Sequence, residues 1–340
     1  MTRIGLSRRK FLRGLSLAGT AGLLGVHATR GQAEPSPETR TLRLVHIPST
    51  CVAPQLIAEE LFSAEGFSDV RYLGTPRDPG AAGQLLVAGE FDIAVAFLPT
   101  TIARIDRGGI DTILAGSHVG CSELRVARHI RSIRDLKGKR IAITERGGVE
   151  HLYTSLFVAS VGLDPDRDIN WVEHPWGESV RLFSQGKIDA FFAGPPESLA
   201  LRAKNIGHVL VDNGVDRPWS QYFCCAVSGH REFVRSKPIA TKRALRALLK
   251  ATTLCSLEPE RVARFMVDKG YTAPEMHDYA LESLKELPYG KWREYNPEDS
   301  VRFYALRLHE LGLIKSSPQK ILAKATDWRF LNELKQELKG

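Results

Sequence analysis

The chain matches itself at an offset of 97 residues, and this repeat constrains its fold more than any other feature. Leu86-Val87-Ala88-Gly89-Glu90-Phe91-Asp92-Ile93-Ala94-Val95-Ala96-Phe97-Leu98-Pro99 lies over Phe183-Ser184-Gln185-Gly186-Lys187-Ile188-Asp189-Ala190-Phe191-Phe192-Ala193-Gly194-Pro195-Pro196, with Gly, Asp, Ala and Pro aligned at four positions. Each copy reads as a helix ended by glycine, a short apolar strand, and a loop ending in proline. The upstream segments agree. Leu42–Ile47 is a strand, 48–52 a loop and Ala53–Glu65 a helix closed by Gly66. Arg140–Thr144 is a strand, 145–149 a loop and Glu150–Ser160 a helix closed near Gly162. Strand–helix–strand units imply parallel pairing and right-handed crossovers. Two of them in the same order favour two α/β lobes over one doubly wound sheet.

From about Ala240 the pattern becomes helical: Ala240–Ser256, Glu258–Lys269, Pro274–Leu287, Asp299–Leu311, Pro318–Lys324 and Asp327–Leu338. Prolines near the starts of these segments mark them. Before them, Trp219–Val227 reads as a strand returning from the second lobe to the first. The chain is thus expected to leave the first lobe near Cys121–Arg125 and to return near Asp216–Tyr222, the two crossings forming a hinge. The expected organisation is a leader over 1–33, lobe I over 41–122 plus 222–340, and lobe II over 123–221.

The leader carries its own signature. Ser7-Arg8-Arg9-Lys10-Phe11-Leu12-Arg13 precedes a weakly apolar run from Leu15 to Val26, and Gly31-Gln32-Ala33 supplies small residues for cleavage. This resembles a Tat (twin-arginine) export signal. The run is too short and too rich in Gly and Ala to span a bilayer core, which needs roughly 20 residues. The segment also carries most of the excess charge. Of 47 basic residues six fall in 1–33, with no acid, leaving 41 against 39 acidic residues, a balance of +2 in place of +8. Nucleic-acid binding, which needs a clustered basic footprint, loses its support. A soluble, exported, periplasmic protein is expected. It passes through the Tat translocase already folded.

Five cysteines (Cys51, Cys121, Cys224, Cys225, Cys255) form neither a disulfide framework nor a C-x-x-C pair. Buried packing is the ordinary reading for Cys255 and for at least one of Cys224 and Cys225. Cys51, His118 and Cys121 would make a soft-metal group if their loops converged, but no two of them stand at a helical i, i+4 interval. No metal or cofactor is assigned on sequence grounds.

Ile133-Arg134-Asp135-Leu136-Lys137-Gly138-Lys139-Arg140-Ile141-Ala142 looks like the start of the second lobe in type II periplasmic binding proteins, and Val161-Gly162-Leu163-Asp164-Pro165 and Gly186-Lys187-Ile188-Asp189-Ala190-Phe191 fit the same family. Over residues 41–310 the chain resembles the branch that holds nitrate, alkanesulfonate and taurine receptors together with thiamine-pyrimidine-precursor proteins. The resemblance implies a two-lobed type II periplasmic binding protein fold, α/β, with a two-crossing hinge and a helical C-terminal section. It also implies a monomeric, non-enzymatic receptor that captures a small solute between its lobes and delivers it to an ABC permease in the inner membrane. Two other readings stay open: a metal-dependent enzyme of thiamine-pyrimidine-precursor synthesis, and a solute sensor or interaction module reusing the fold. No G-x-S-x-G, H-E-x-x-H or Walker A motif is present.

Ligands of open α/β sheets lie beyond the carboxyl ends of the strands. That rule selects Thr50 and Cys51, Pro99 and Thr100, His118, Arg146, Gly147 and Gly148, Trp176, Glu197 and Tyr222 as the ligand-binding set. Three of the loops deliver helix N-termini suited to an anion. Thr50, Thr100 and Thr101 can add hydroxyl donors or serve as N-caps. Glu145 and Glu197 disfavour a bare anion unless each is paired, for example by Arg146, and suit an amine-like portion stacked over Trp176.

Overall fold

A computed structural model describes residues 34–47, 49–74 and 79–339. The twin-arginine segment and Pro48 lie outside these residues. Among the described residues ten strands are present: β1 (Thr41–Val45), β2 (Asp69–Leu73), β3 (Ile93–Phe97), β4 (Asp111–Val119), β5 (Glu123–Val126), β6 (Arg140–Ile143), β7 (Asn170–Glu173), β8 (Ala190–Ala193), β9 (His208–Asp212) and β10 (Phe223–His230). They form three sheets ordered β1-β2, β3-β10-β4 and β7-β6-β8-β5-β9. The expected parallel pairs are β1 with β2, β6 with β7 and β6 with β8. β10 runs antiparallel between β3 and β4, and β5 runs antiparallel between β8 and β9.

The two small sheets are joined by a side chain. Gln55, fully buried, donates its amide to Val45 O (2.7 Å) and accepts from Val95 N (2.7 Å), spanning the gap between β1 and β3. The first helix is broken where sequence periodicity suggested one continuous segment: Ala53–Ile57 and Glu59–Phe62 are separate, and the turn closes at Gly66 with φ +95°.

The repeat has a structural meaning that explains its conserved spacing within the chain. Asp92 accepts from Arg43 N (2.8 Å) and from the Arg43 guanidinium (2.9 Å), while Asp92 N donates to Arg43 O. Ninety-seven residues later, Asp189 accepts from Arg140 N (2.9 Å) and Arg140 Nε (3.2 Å), and Asp189 N donates to Arg140 O. In each copy the glycine ends the helix in the left-handed region, Gly89 at φ +73° and Gly186 at φ +70°. The aspartate then clamps an earlier strand, in the middle of β1 in the first copy and at the start of β6 in the second. Both aspartates sit at the end of their sheets away from the loops that precede the next helices.

The chain passes from β4 to β5 through Gly120, Cys121 and Ser122, and from β9 to β10 through residues 213–222. These passes touch. Asn213 Oδ1 accepts from Cys121 N (2.7 Å) and Ser122 N (2.8 Å), and Asn213 N donates to Ser122 O. Gly120 has φ +53°, and a Cβ there would lie 2.0 Å from Gly214 Cα.

The C-terminal section is helical as expected, with boundaries Pro238–Leu257, Pro259–Asp268, His277–Glu286, Pro297–Glu310, Pro318–Ala325 and Arg329–Glu337. Helix Pro238–Leu257 packs on the Ala53–Ile57 helix and on Arg329–Glu337. An aromatic band runs from Phe192 through Tyr153 and Phe157 to Trp219, Phe303 and Tyr304. It connects the helix Val149–Ala159, which packs on the five-stranded sheet, to the C-terminal helix Pro297–Glu310. Burying each such ring contributes about 1.5–3 kcal/mol. Among the described residues no helix is long and apolar enough to cross a membrane.

Candidate functional site

The site is built where the loop after β1 meets the loop after β8. Ser49, in extended conformation, caps the short turn Thr50–Val52 by accepting from Cys51 N. The cap is therefore Ser49 and not Thr50, because the turn starts at Thr50, inside the expected loop. The Ser49 hydroxyl donates to Pro195 O (3.0 Å), and Thr50 N donates to the same carbonyl (3.2 Å). Thr50 O accepts from the buried Tyr289 hydroxyl (2.7 Å). Thr50 Oγ1 is buried with no hydrogen-bond partner among the described residues, a cost of about 1–3 kcal/mol unless another molecule satisfies it. Pro195 and the following Pro196 lead into the helix Glu197–Ala203. Glu197 is thus at the first helical position. Burial pushes its carboxyl up, and its own amide provides the opposing hydrogen bond. No basic side chain pairs with it among the described residues.

Beneath this contact four thiols and an imidazole converge. Cys51, Cys121, Cys224, Cys225 and His118 are all buried. The donor atoms of Cys51, His118, Cys121 and Cys225 lie within 4.8 Å of one another. Cys224 Sγ is 2.9 Å from Cys121 Sγ, 3.6 Å from Cys225 Sγ and 3.7 Å from His118 Nδ1. Neighbouring residues of a regular strand point to opposite faces. β10 escapes this because its register against β4 slips on both sides of Cys225, which stands opposite His118. Such a bulge bends the strand and re-aims side chains, so Cys224 and Cys225 both reach the cluster. The sequence spacing that argued against convergence of Cys51, His118 and Cys121 is thus overridden by strand pairing, since β4 and β10 are neighbours and the loop after β1 folds over them. Burial alone would raise the Cys121 thiol. Hydrogen bonds from Cys224, Cys225 and Cys51, helped by His118, hold it well below the usual thiol range instead. Burial pushes Cys224 and Cys225 up.

The helix Val149–Ala159 covers the cluster from the other side. Tyr153 stacks on Phe192 (5.0 Å, 10° between planes), and its hydroxyl reaches Cys224 O at 3.4 Å. Gly148 caps this helix with backbone only. Gly147, at φ +80°, leaves room for the Arg107 guanidinium, since a Cβ would lie 2.6 Å from Arg107 Nη2. Gly147 N donates to His151 Nδ1 (3.2 Å). His151 is pushed down to about 4, by burial first and then by the nearby charges of Arg146 and Arg107. It therefore serves as a neutral acceptor that fixes the glycine turn.

Several candidates from the sequence take other roles. Arg146 does not pair Glu145 or Glu197; it turns outward to Asp166 (3.4 Å), because its side chain starts from the exposed flank of the turn. Thr100 and Thr101 both donate to Phe97 O (2.9 and 3.0 Å), so their hydroxyls are spent on their own helix. That helix starts at Leu98, with Pro99 in its first turn. Trp176 packs edge-on against Phe191 (5.8 Å) and covers the apolar cluster of Phe183, Ile188 and Phe191. Tyr222 stacks on Phe303 (3.9 Å, 8°) at the returning pass. Thr50, Cys51 and His118 are brought together, whereas Gly147 and Gly148 belong to the separate turn against Arg107. Sequence reading missed Ser49, Arg107, Tyr153 and Tyr289. The Ser before a short loop-to-helix junction was a legible capping signal for the first of these.

The fold matches known proteins over nearly its whole described length. The periplasmic nitrate-binding protein NrtA from Synechocystis PCC 6803 superposes with a TM-score of 0.73 at 19% identity, covering 90% of each chain. The alkanesulfonate-binding protein SsuA from Xanthomonas axonopodis pv. citri, bound to MOPS, gives 0.66 at 16% identity over 87% of this chain and 99% of that one. In sequence, the nitrate/nitrite binding protein NrtA of Nostoc sp. is 24% identical over 352 residues, covering 88% of this chain and 79% of the relative. The architecture is the two-lobed α/β fold of periplasmic binding proteins. Residues 35–266 match the NMT1-like family model, and the chain belongs to that family.

Proposed function

We propose that this chain is the solute-binding component of an ABC importer, acting outside the cytoplasm as a monomeric receptor and not as an enzyme. It closes two lobes, residues 41–122 with 222–340 and residues 123–221, over one small solute and presents it to a permease in the inner membrane. The observation that carries this reading is the seam between the loop after β1 and the loop after β8, where Ser49 and Thr50 both donate to Pro195 O. A contact of that kind joins segments from the two sheet systems and can report closure. The nitrate-binding relatives and the alkanesulfonate-binding structural neighbour support a small oxyanion, or an amine-bearing analogue of one, as the solute. Glu197, half-buried and without a basic partner among the described residues, favours a solute that also carries an amine or another hydrogen-bond donor. The twin-arginine segment supports export through the Tat translocase into the periplasm.

Ligand-induced stabilisation tests the reading. Protein stripped of co-purified solute is melted against nitrate, sulfonates, taurine, carboxylates and pyrimidines. A true ligand at a hundred times its dissociation constant adds about 2.7 kcal/mol, a rise of roughly 4 °C for a chain of this size. An unchanged melting temperature across the whole panel overturns the receptor reading. Replacing both Arg8 and Arg9 by Lys is expected to hold the protein in the cytoplasm, and undiminished export of that variant refutes the Tat route.

A further inference from the structure

We propose that Cys51, Cys121, Cys225 and His118 form a resident, buried site for a thiophilic d10 metal ion, Zn(II) or Cu(I). Three thiolates and an imidazole are the donor set such ions prefer. Metal–sulfur bonds near 2.3 Å in a tetrahedron put the donors about 3.7 Å apart. The four donor atoms here lie within 4.8 Å of one another, so side-chain adjustments of about 1 Å or less bring them onto one ion.

The surroundings of His118 point the same way. Its Nε2 lies 2.9 Å from Cys51 O and its Nδ1 lies 3.0 Å from Gly120 O. A neutral imidazole has one N–H, so only one of these carbonyls receives a hydrogen bond. With Nε2–H given to Cys51 O, the Nδ1 lone pair is left free for a ligand, and an ion bound there takes the place that Gly120 O now holds 3.0 Å from Nδ1. A ligating histidine that donates its other N–H to a backbone carbonyl is the usual outer arrangement of protein metal sites. Cys224, 2.9 Å from Cys121 Sγ, is placed to donate its S–H to that ligand and does not itself need to bind.

The position gives the ion a task. Cys121 lies on the outgoing pass between the sheet systems, Cys225 is the third residue of the returning strand, and Cys51 belongs to the loop that meets Pro195. One ion would tie all three together at the base of the seam. The site also fits the export route. Unprotected thiols this close would be oxidised in the periplasm, whereas a chain that folds before crossing can take its metal in the reducing cytoplasm.

The test uses full-length protein purified without a metal-binding tag, with metal content measured by mass spectrometry. About one equivalent of zinc or copper per chain is expected. The reduced, metal-free protein titrated with Co(II) should show sulfur-to-cobalt charge-transfer bands and tetrahedral d–d bands saturating at one equivalent. A separate titration with Cu(I) should also saturate at one equivalent. Cys51→Ser and Cys225→Ser should lose the bands, while Cys255→Ser, buried away from the cluster, should keep them. If either cluster variant fails to fold, the wild-type Co(II) spectrum and stoichiometry decide alone. Absence of bound metal together with absence of thiolate–cobalt bands in the wild type overturns the site, as does a Cys121–Cys224 disulfide in the exported protein. Solute-induced stabilisation is measured separately, so loss of the metal site and loss of the receptor reading are distinguishable.

Discussion

Replacing Gly120 by alanine attacks the point where the two passes between the sheet systems touch. Gly120 sits at φ +53°, and its added Cβ would meet Gly214 Cα at 2.0 Å, Gly214 N at 2.6 Å and Asn213 O at 2.9 Å. All three are backbone atoms, so no side-chain rotation relieves the clash. The left-handed backbone costs a non-glycine residue about 1–2 kcal/mol, and forced backbone displacement in a packed region adds about 1–3 kcal/mol. The expected loss is therefore about 2–5 kcal/mol, or roughly 3–8 °C in melting temperature. Gly138→Ala is the internal control. It has φ +72° but nothing within 4 Å of the new Cβ, so it isolates the backbone cost of about 1–2 kcal/mol. Urea unfolding followed by circular dichroism measures both. If Gly120→Ala loses no more stability than Gly138→Ala, the passes are not in contact and the reasoning fails.

Glu123→Gln should destabilise by about 3–5 kcal/mol. It removes the charge that pairs the fully buried Arg125 (2.7 Å) and also receives Arg202; a loss under about 1 kcal/mol in urea unfolding would contradict this. His151 supplies a pH signature. Its folded-state value of about 4 lies below the ordinary 6.5. As pH falls the unfolded chain therefore takes up the proton first, and stability drops between about pH 6.5 and 4, by at most about 3 kcal/mol. His151→Gln should flatten that part of the stability profile; an unchanged slope would remove His151 from the account.

The legible part of the sequence was the part fixed by local chemistry. A glycine three residues before an aspartate marks the turn from a helix to a strand in both copies, and its recurrence at Gly89/Asp92 and Gly186/Asp189 exposed the two sheet systems. The helical C-terminal section was legible through its prolines. The floor of the site was not, because three of its parts depend on pairing between distant strands. Cys225 meets His118 through the β10–β4 register, and Cys224 joins them through a bulge that no local pattern announces. The contact between the loops after β1 and β8 was hidden for another reason. Its acceptor is a backbone carbonyl, Pro195 O, which leaves no mark on residue identity.

The strand order β3-β10-β4 has a consequence for how the chain is made. The middle strand of this sheet is synthesised last, roughly a hundred residues after β4, an interval of about 5–20 s at ordinary translation rates. Until β10 emerges, β3 and β4 have no partner, whereas the five strands between them and β10 already form a complete sheet. The inserted segment can therefore fold while the first sheet waits with open edges, a state prone to mispairing. Sealing that sheet also places Cys224 and Cys225 against Cys121, so edge closure and assembly of the thiol cluster are one late event in the life of the nascent chain.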